Sequence, residues 1–106
     1  MAILAGLHNG SFYGHLDPLV IHELAYVLPR LKRLPDRSAV VRYLQGILRA
    51  PGVHCDERDV VLGTLHRWLA RGGSFVDAWL AILALSTRES ICSANARDFP
   101  DVPNTF

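Results

Sequence analysis

The sequence predicts an α/β fold in a single domain, rich in helix, with a parallel sheet. Three observations carry that prediction. Apolar residues recur at helical spacing in four separate stretches. Short apolar runs stand between those stretches, where the strands of a parallel sheet belong. The chain has 106 residues, half of them apolar, which supplies one core and leaves no room for a second.

Taken in order, residues 1–9 read as the end of a helix that stops at Asn9-Gly10, a turn or C-cap pair. Ser11 to Leu16 is a short extended piece. Asp17-Pro18 starts the next helix, with Asp as N-cap and Pro in the first turn. Its apolar stripe is Val20, Leu24, Val27, Leu28, Leu31 and Leu34. Pro29 falls inside that stripe and kinks or ends the helix, because its ring removes a backbone donor and crowds the carbonyl of Ala25. A further helix runs from Arg37 or Ser38 to Arg49 on Val40, Val41, Leu44, Ile47 and Leu48, and Pro51-Gly52 closes it. Val53-His54-Cys55 is a strand candidate. Asp56 is placed to cap a helix over about 57–71, whose stripe is Val60, Val61, Leu65, Trp68 and Leu69, with Gly72-Gly73 as its stop. Ser74 caps the last helix, 75–87, which carries the apolar run Ala78 to Leu85 and is expected to be buried. Ser90 to Ser93 is a second strand candidate, and the tail from Pro100 is irregular. Two strands are few for a parallel sheet buried on both faces, so a segment ahead of Met1 is expected.

Composition excludes several classes. A net charge of +1 and a pI near 7.9 exclude a strongly basic nucleic-acid coat protein. Two cysteines, Cys55 and Cys92, make neither a disulfide scaffold nor a Cys-rich zinc site, and a reduced, cytoplasmic setting follows. The eight-residue run Ala78 to Leu85 is far short of the ~20 residues a membrane span needs, so no membrane is expected as a partner. Met1 to Gly10 carries no Lys or Arg and is not a secretory signal.

Three carboxylates stand on separate elements. Glu23 shares a helix face with Leu19, Tyr26 and Arg30, and its plain alternative is a rim acid beside Arg30. Asp77 has capping-box spacing from Ser74, and a carboxylate there stabilises the helix start whether or not it also binds metal. Asp98 follows the last strand candidate together with Asn95, where ligands of parallel sheets bind; its alternative is an Asx-turn. Converging, the three would suit Mg²⁺ or Mn²⁺. Asp36, Asp56, Asp59 and Asp101 read as structural or solvated. The histidines His8, His15, His22, His54 and His66 show no metal-ligand spacing and read as surface or core residues. Between positions 30 and 42, Arg30, Lys32, Arg33, Arg37 and Arg42 face one acid, Asp36, so the window is net +4. That window suits a phosphate backbone, or equally a solvated face.

Three stretches resemble the PIN domain in its VapC-type toxin form. Leu19-Val-Ile-His-Glu23-Leu-Ala-Tyr-Val-Leu28 is similar to the family's helix with an embedded acid. Ser74-Phe-Val-Asp77-Ala-Trp-Leu-Ala81 is similar to its Phe-x-Asp-Ala helix start. Ile91-Cys-Ser-Ala-Asn95-Ala-Arg-Asp98-Phe99 is similar to its strand followed by Thr-x-Asn-x-x-Asp-Phe, with Ser93 in place of Thr. The resemblance spans residues 11–106. It implies a PIN-like parallel sheet flanked by helices, often in a homodimer. It implies a Mg²⁺-dependent (or Mn²⁺-dependent) endoribonuclease of a toxin–antitoxin pair, held inactive by its cognate antitoxin. Glu23, Asp77 and Asp98 would be the catalytic and metal-site acids, with Asn95 and Ser93 in support and the 30–42 basic residues on RNA.

One departure stands out. The family opens on a central strand carrying an Asp, and the first acid in this chain is Asp17, a helix cap. The expectation is therefore a single domain, 1–106, lacking its first strand, with weak or no cleavage. The alternative reading is a catalytically dead fragment that binds an antitoxin or its own twin.

Overall fold

The structure, a computed structural model, describes residues 9–11, 13–30, 36–90 and 99–103. Among these residues the elements run in the order β1 (Gly14–His15), α1 (Pro18–Val27), α2 (Arg37–Leu48), β2 (Val53–His54), α3 (Arg58–Arg71) and α4 (Phe75–Thr87). A 3₁₀ turn, Leu28–Arg30, extends α1. The described residues thus form a helix-rich α/β arrangement, as the sequence predicts, with a small parallel sheet. β1 lies parallel to β2 with Gly14 opposite Val53 and His15 opposite His54. Flanking bonds from Gly14 N to Gly52 O and from Leu16 N to His54 O, both 2.7 Å, hold the register. The strand candidate at 90–93 falls almost wholly outside the described residues.

Local chemistry sets the helix ends. Asp17 Oδ1 accepts from Leu19 N at 2.8 Å, with Pro18 in the first turn, so α1 starts where expected. Pro29 has no N–H to donate, and the α-helix gives way at Val27 to the tighter 3₁₀ turn. Asp36, read from sequence as structural or solvated, is the N-cap of α2 and accepts from Ala39 N at 2.8 Å. Ser74 Oγ accepts from Asp77 N at 3.1 Å and opens α4. Gly72 and Gly73, both at φ +74°, turn the chain between α3 and α4 through a region where only glycine is at ease.

Arg37 closes α3 from outside. Its guanidinium donates to the carbonyls of Trp68 (3.1 Å) and Gly73 (3.2 Å) and lies over the Trp68 ring, 4.4 Å from the centroid. The Trp68 carbonyl, which also accepts from Gly72 N at 3.0 Å, and the Gly73 carbonyl just beyond the helix, which Trp68 Nε1 also reaches, thereby gain a donor from α2.

The core joins Ile21 and Ala25 of α1, Val40, Val41, Leu44 and Leu48 of α2, Val61, Leu65 and Trp68 of α3, and Phe75 and Ala78 of α4. Each large apolar side chain buried there contributes about 1.5–3 kcal/mol. A smaller cluster docks the 99–103 segment on α4 through Phe99, Val102, Ala81 and Ala84. Gly63 lets α3 approach α4 closely: a Cβ there would lie 3.3 Å from Ile82 Cγ2.

Three expectations are corrected. The buried stripe of α1 is Ile21, Ala25 and Leu28, while Val20 and Val27 are exposed. The helix is apolar almost all round, so spacing alone fits more than one face. Asp56 does not cap α3. Glu57 takes the N-cap position in the left-handed region (φ 56°) without a side-chain bond, and the Asp56 carboxylate faces His15 and His54 instead. The run Ala78 to Leu85 is not buried as a whole. Its alanines pack inward, while Leu80 and Leu85 are each 42% exposed. Leu69 of α3 is likewise exposed.

Candidate functional site

The first turn of α4 presents Asp77 half-buried at the rim of a cavity of about 260 Å³. Arg67 and Arg71 of α3, the Gly72-Gly73 bend and Pro100 complete its wall. Arg67 and Arg71 are four residues apart and so share one face of α3. The positive end of the α4 dipole and the Arg71 guanidinium face the same cavity.

The two arginines have different commitments. Arg67 donates both arms of its guanidinium to Asp101, at 2.6 and 2.7 Å. This bidentate bond, aided by the charges of Arg67 and Arg71, holds the Asp101 carboxyl down to about 2. In return the Asp101 bond makes Arg67 still harder to deprotonate. Arg71 stands 3.5 Å from Asp101 with its side chain half exposed, so its donors remain open to the cavity. The cavity therefore combines one carboxylate, one anchored cation and one accessible cation.

The remaining predicted residues divide. Glu23 is exposed on α1 and lines none of the three cavities described, so it does not share one with Asp77. Glu23 forms no ion pair among the described residues. Its expected neighbour Arg30 instead donates to the Tyr26 carbonyl and covers the Tyr26 ring, 3.6 Å from the centroid. Arg37 serves the end of α3, and Arg42 is exposed on α2. Ser93, Asn95, Asp98, Lys32 and Arg33 lie outside the described residues. Among those described, no three His, Cys, Asp or Glu side chains enclose a metal position as they stand.

Sequence reasoning missed Arg67, Arg71 and Asp101. One signal was present: Arg67 adjoins Trp68 on the apolar side of α3, and a cation there needs a partner. Nothing local points to Asp101, 34 residues away.

Two further clefts border α1 and α4. One, of about 550 Å³, is apolar and lined by Pro18, Leu19, Phe75, Val76 and Trp79, with Asp17 and Glu57 at its rim. The other, of about 330 Å³, runs past Tyr26, Arg30 and Arg37. His22 stacks on Phe75 between them, ring centroids 5.6 Å apart. Cys55 is buried, and burial pushes its thiol up, with Arg58 pulling the other way, so it is a poor nucleophile.

No protein-family model, curated protein or solved structure matches the chain.

Proposed function

We propose that the chain is a PIN-type domain that hydrolyses RNA phosphodiester bonds with Mg²⁺ or Mn²⁺ and is controlled by a cognate antitoxin. The observation that supports this best is the company of Asp77. The acid of the Phe-x-Asp-Ala stretch lines the same cavity as Pro100, which stands two residues beyond Asp98 in the chain. The cavity of the second motif's acid is thus bordered by the residue that follows the third motif in sequence, beside an accessible arginine.

The chemistry fits a phosphodiester. Arg71 is placed to hold a phosphate oxygen, and Arg67, neutralised by Asp101, fixes the cavity wall beside it. A hard divalent ion takes several oxygen ligands and, when bound, neutralises phosphate charge and supplies an activated water. Asp77 alone does not make that set. The reading adds Asp98 and leaves Glu23 as an exposed α1 residue, so Asp77 and Asp98 carry the metal and Asn95 and Ser93 support them. The reading places the protein in the cytoplasm as a homodimer. No helix among the described residues is long and apolar enough to cross a membrane.

The deciding experiment is a calorimetric titration of Mn²⁺ into the chain beside Asp77→Asn, Asp98→Asn and Glu23→Gln, followed by RNA cleavage with the same proteins. Saturable Mn²⁺ binding by the wild type with weak cleavage is expected, both lost in Asp77→Asn and Asp98→Asn. A folded wild type that neither binds Mn²⁺ nor cleaves RNA overturns the enzyme reading.

A second reading keeps the partner and gives up the chemistry. It is favoured by the apolar cleft between α1 and α4, where Leu19 is 69% exposed beside Val76 and Trp79. An antitoxin peptide with an apolar anchor would fill it. Binding of such a peptide that survives Asp77→Asn but is lost in Leu19→Asp, with no RNA cleavage by the wild type, selects this reading.

A further inference from the structure

We propose that His15, His54 and Asp56 form a binding site for a transition-metal dication of the zinc class at the C-terminal end of the two-stranded sheet. β1 and β2 are parallel, with His15 opposite His54, so the two imidazoles emerge on one face side by side. Val53, one residue earlier, is buried on the other face. The two rings lie 5.2 Å apart, centroid to centroid, tilted by 37°.

Both rings turn the same nitrogen toward one carboxylate. His54 Nε2 is 3.3 Å from Asp56 Oδ1, and His15 Nε2 is 3.8 Å from Asp56 Oδ2. In a tetrahedral shell with bonds of about 2.0–2.1 Å, neighbouring donor atoms are about 3.3 Å apart. The His54 contact already has that length; the His15 contact exceeds it by about half an ångström and is made to the other carboxylate oxygen, so a shared oxygen requires the Asp56 carboxylate to rotate. The donors do not yet enclose a metal. The side chains of His15, Asp56 and His54 are 52%, 65% and 73% exposed, so small side-chain torsions close the gap without disturbing the core. Solvent would complete the shell.

A second observation points the same way. Asp56 precedes α3 and has the chemistry of an N-cap, yet α3 starts at Glu57 with no side-chain cap at all. The Asp56 carboxylate lies instead 3.3 Å from His54 Nε2 and 3.8 Å from His15 Nε2. Two imidazole nitrogens and one carboxylate oxygen suit Zn²⁺, Co²⁺ or Ni²⁺ and are a poor set for Mg²⁺. This site shares no residue with the Asp77 cavity and does not rest on the proposed ribonuclease.

The test is a titration of the full chain with Co²⁺, followed by its visible absorption, and with Zn²⁺ by calorimetry. His15→Ala, His54→Ala, Asp56→Asn and His66→Ala are compared, with far-ultraviolet circular dichroism to verify the fold. One saturable site is expected in the wild type and in His66→Ala. Affinity should fall by at least about tenfold in each of the other three, and excess Mg²⁺ should not displace Co²⁺. Absence of saturable binding in the folded wild type, which would leave the cluster a plain imidazole–carboxylate contact, overturns the proposal. Binding that persists in His54→Ala and His15→Ala overturns it equally.

Discussion

Arg67 and Asp101, 34 residues apart in sequence, meet in a two-pronged ion pair at 2.6 and 2.7 Å that ties the 99–103 segment to α3. Arg67 is the more deeply placed partner, with its side chain 9% exposed against 35% for Asp101. Such a pair weighs less by what it adds than by what is left behind when half of it is removed.

Asp101→Asn is expected to cost about 1 kcal/mol, because it removes the counter-charge of a nearly buried guanidinium from a position that solvent partly screens. The double variant Arg67→Met, Asp101→Asn should recover most of that loss. Urea denaturation of the wild type, the single variant and the double variant checks both statements. Equal losses in the single and double variants would contradict the assignment.

The same pair predicts acid sensitivity. The Asp101 carboxyl is lowered from 3.8 to about 2 in the folded chain, so the unfolded chain binds its proton first as pH falls. The stabilisation is complete above about pH 4 and is lost as pH drops through about 2. Solvent screening at a carboxylate one-third exposed limits it to about 1 kcal/mol. Urea midpoints measured between about pH 5 and pH 2 should show the wild type losing its advantage over Asp101→Asn in that window.

Ser74 and Asp77 separate stability from chemistry. Ser74→Ala removes the cap on the Asp77 N–H and should cost about 1 kcal/mol in thermal denaturation. Asp77→Asn removes only the favourable charge at the start of α4, about 0.5 kcal/mol, yet it should abolish Mn²⁺ binding.

Arg37 and Arg42 should respond differently although both belong to the basic window. Arg37→Ala loses two bonds to the end of α3 and the stack on Trp68, and should lower stability by about 2 kcal/mol. Arg42 is exposed, so Arg42→Ala should leave the urea midpoint unchanged and flatten the salt dependence of RNA affinity.

Gly72 carries φ +74° and ψ −154°, a combination that a side chain resists. Gly72→Ala is expected to lower stability by about 1–3 kcal/mol through backbone strain, because the added Cβ would meet only Arg37 Nη1 at an ordinary 3.5 Å. A melting temperature equal to that of the wild type would refute this.

Residues close in sequence determined the elements themselves. Asp17 with Pro18, Pro29, Pro51-Gly52, Gly72-Gly73 and Ser74 act over a few residues, and the helices and the strand at Val53 begin and end near them. The place of Asp77 in the first turn of α4 was legible for the same reason, since Ser74, three residues before it, is its cap. Tertiary structure decided what each element faces. Ile21 rather than Val20 is buried because α1 has apolar residues on several sides, and its neighbours α2 and α4 select one. Arg67 finds Asp101, Arg37 finds the end of α3, and His15 finds His54 only once the chain has closed loops of about 30 residues or more. A cap answers to the amides beside it, whereas a pairing across the fold answers to packing, which no local pattern carries.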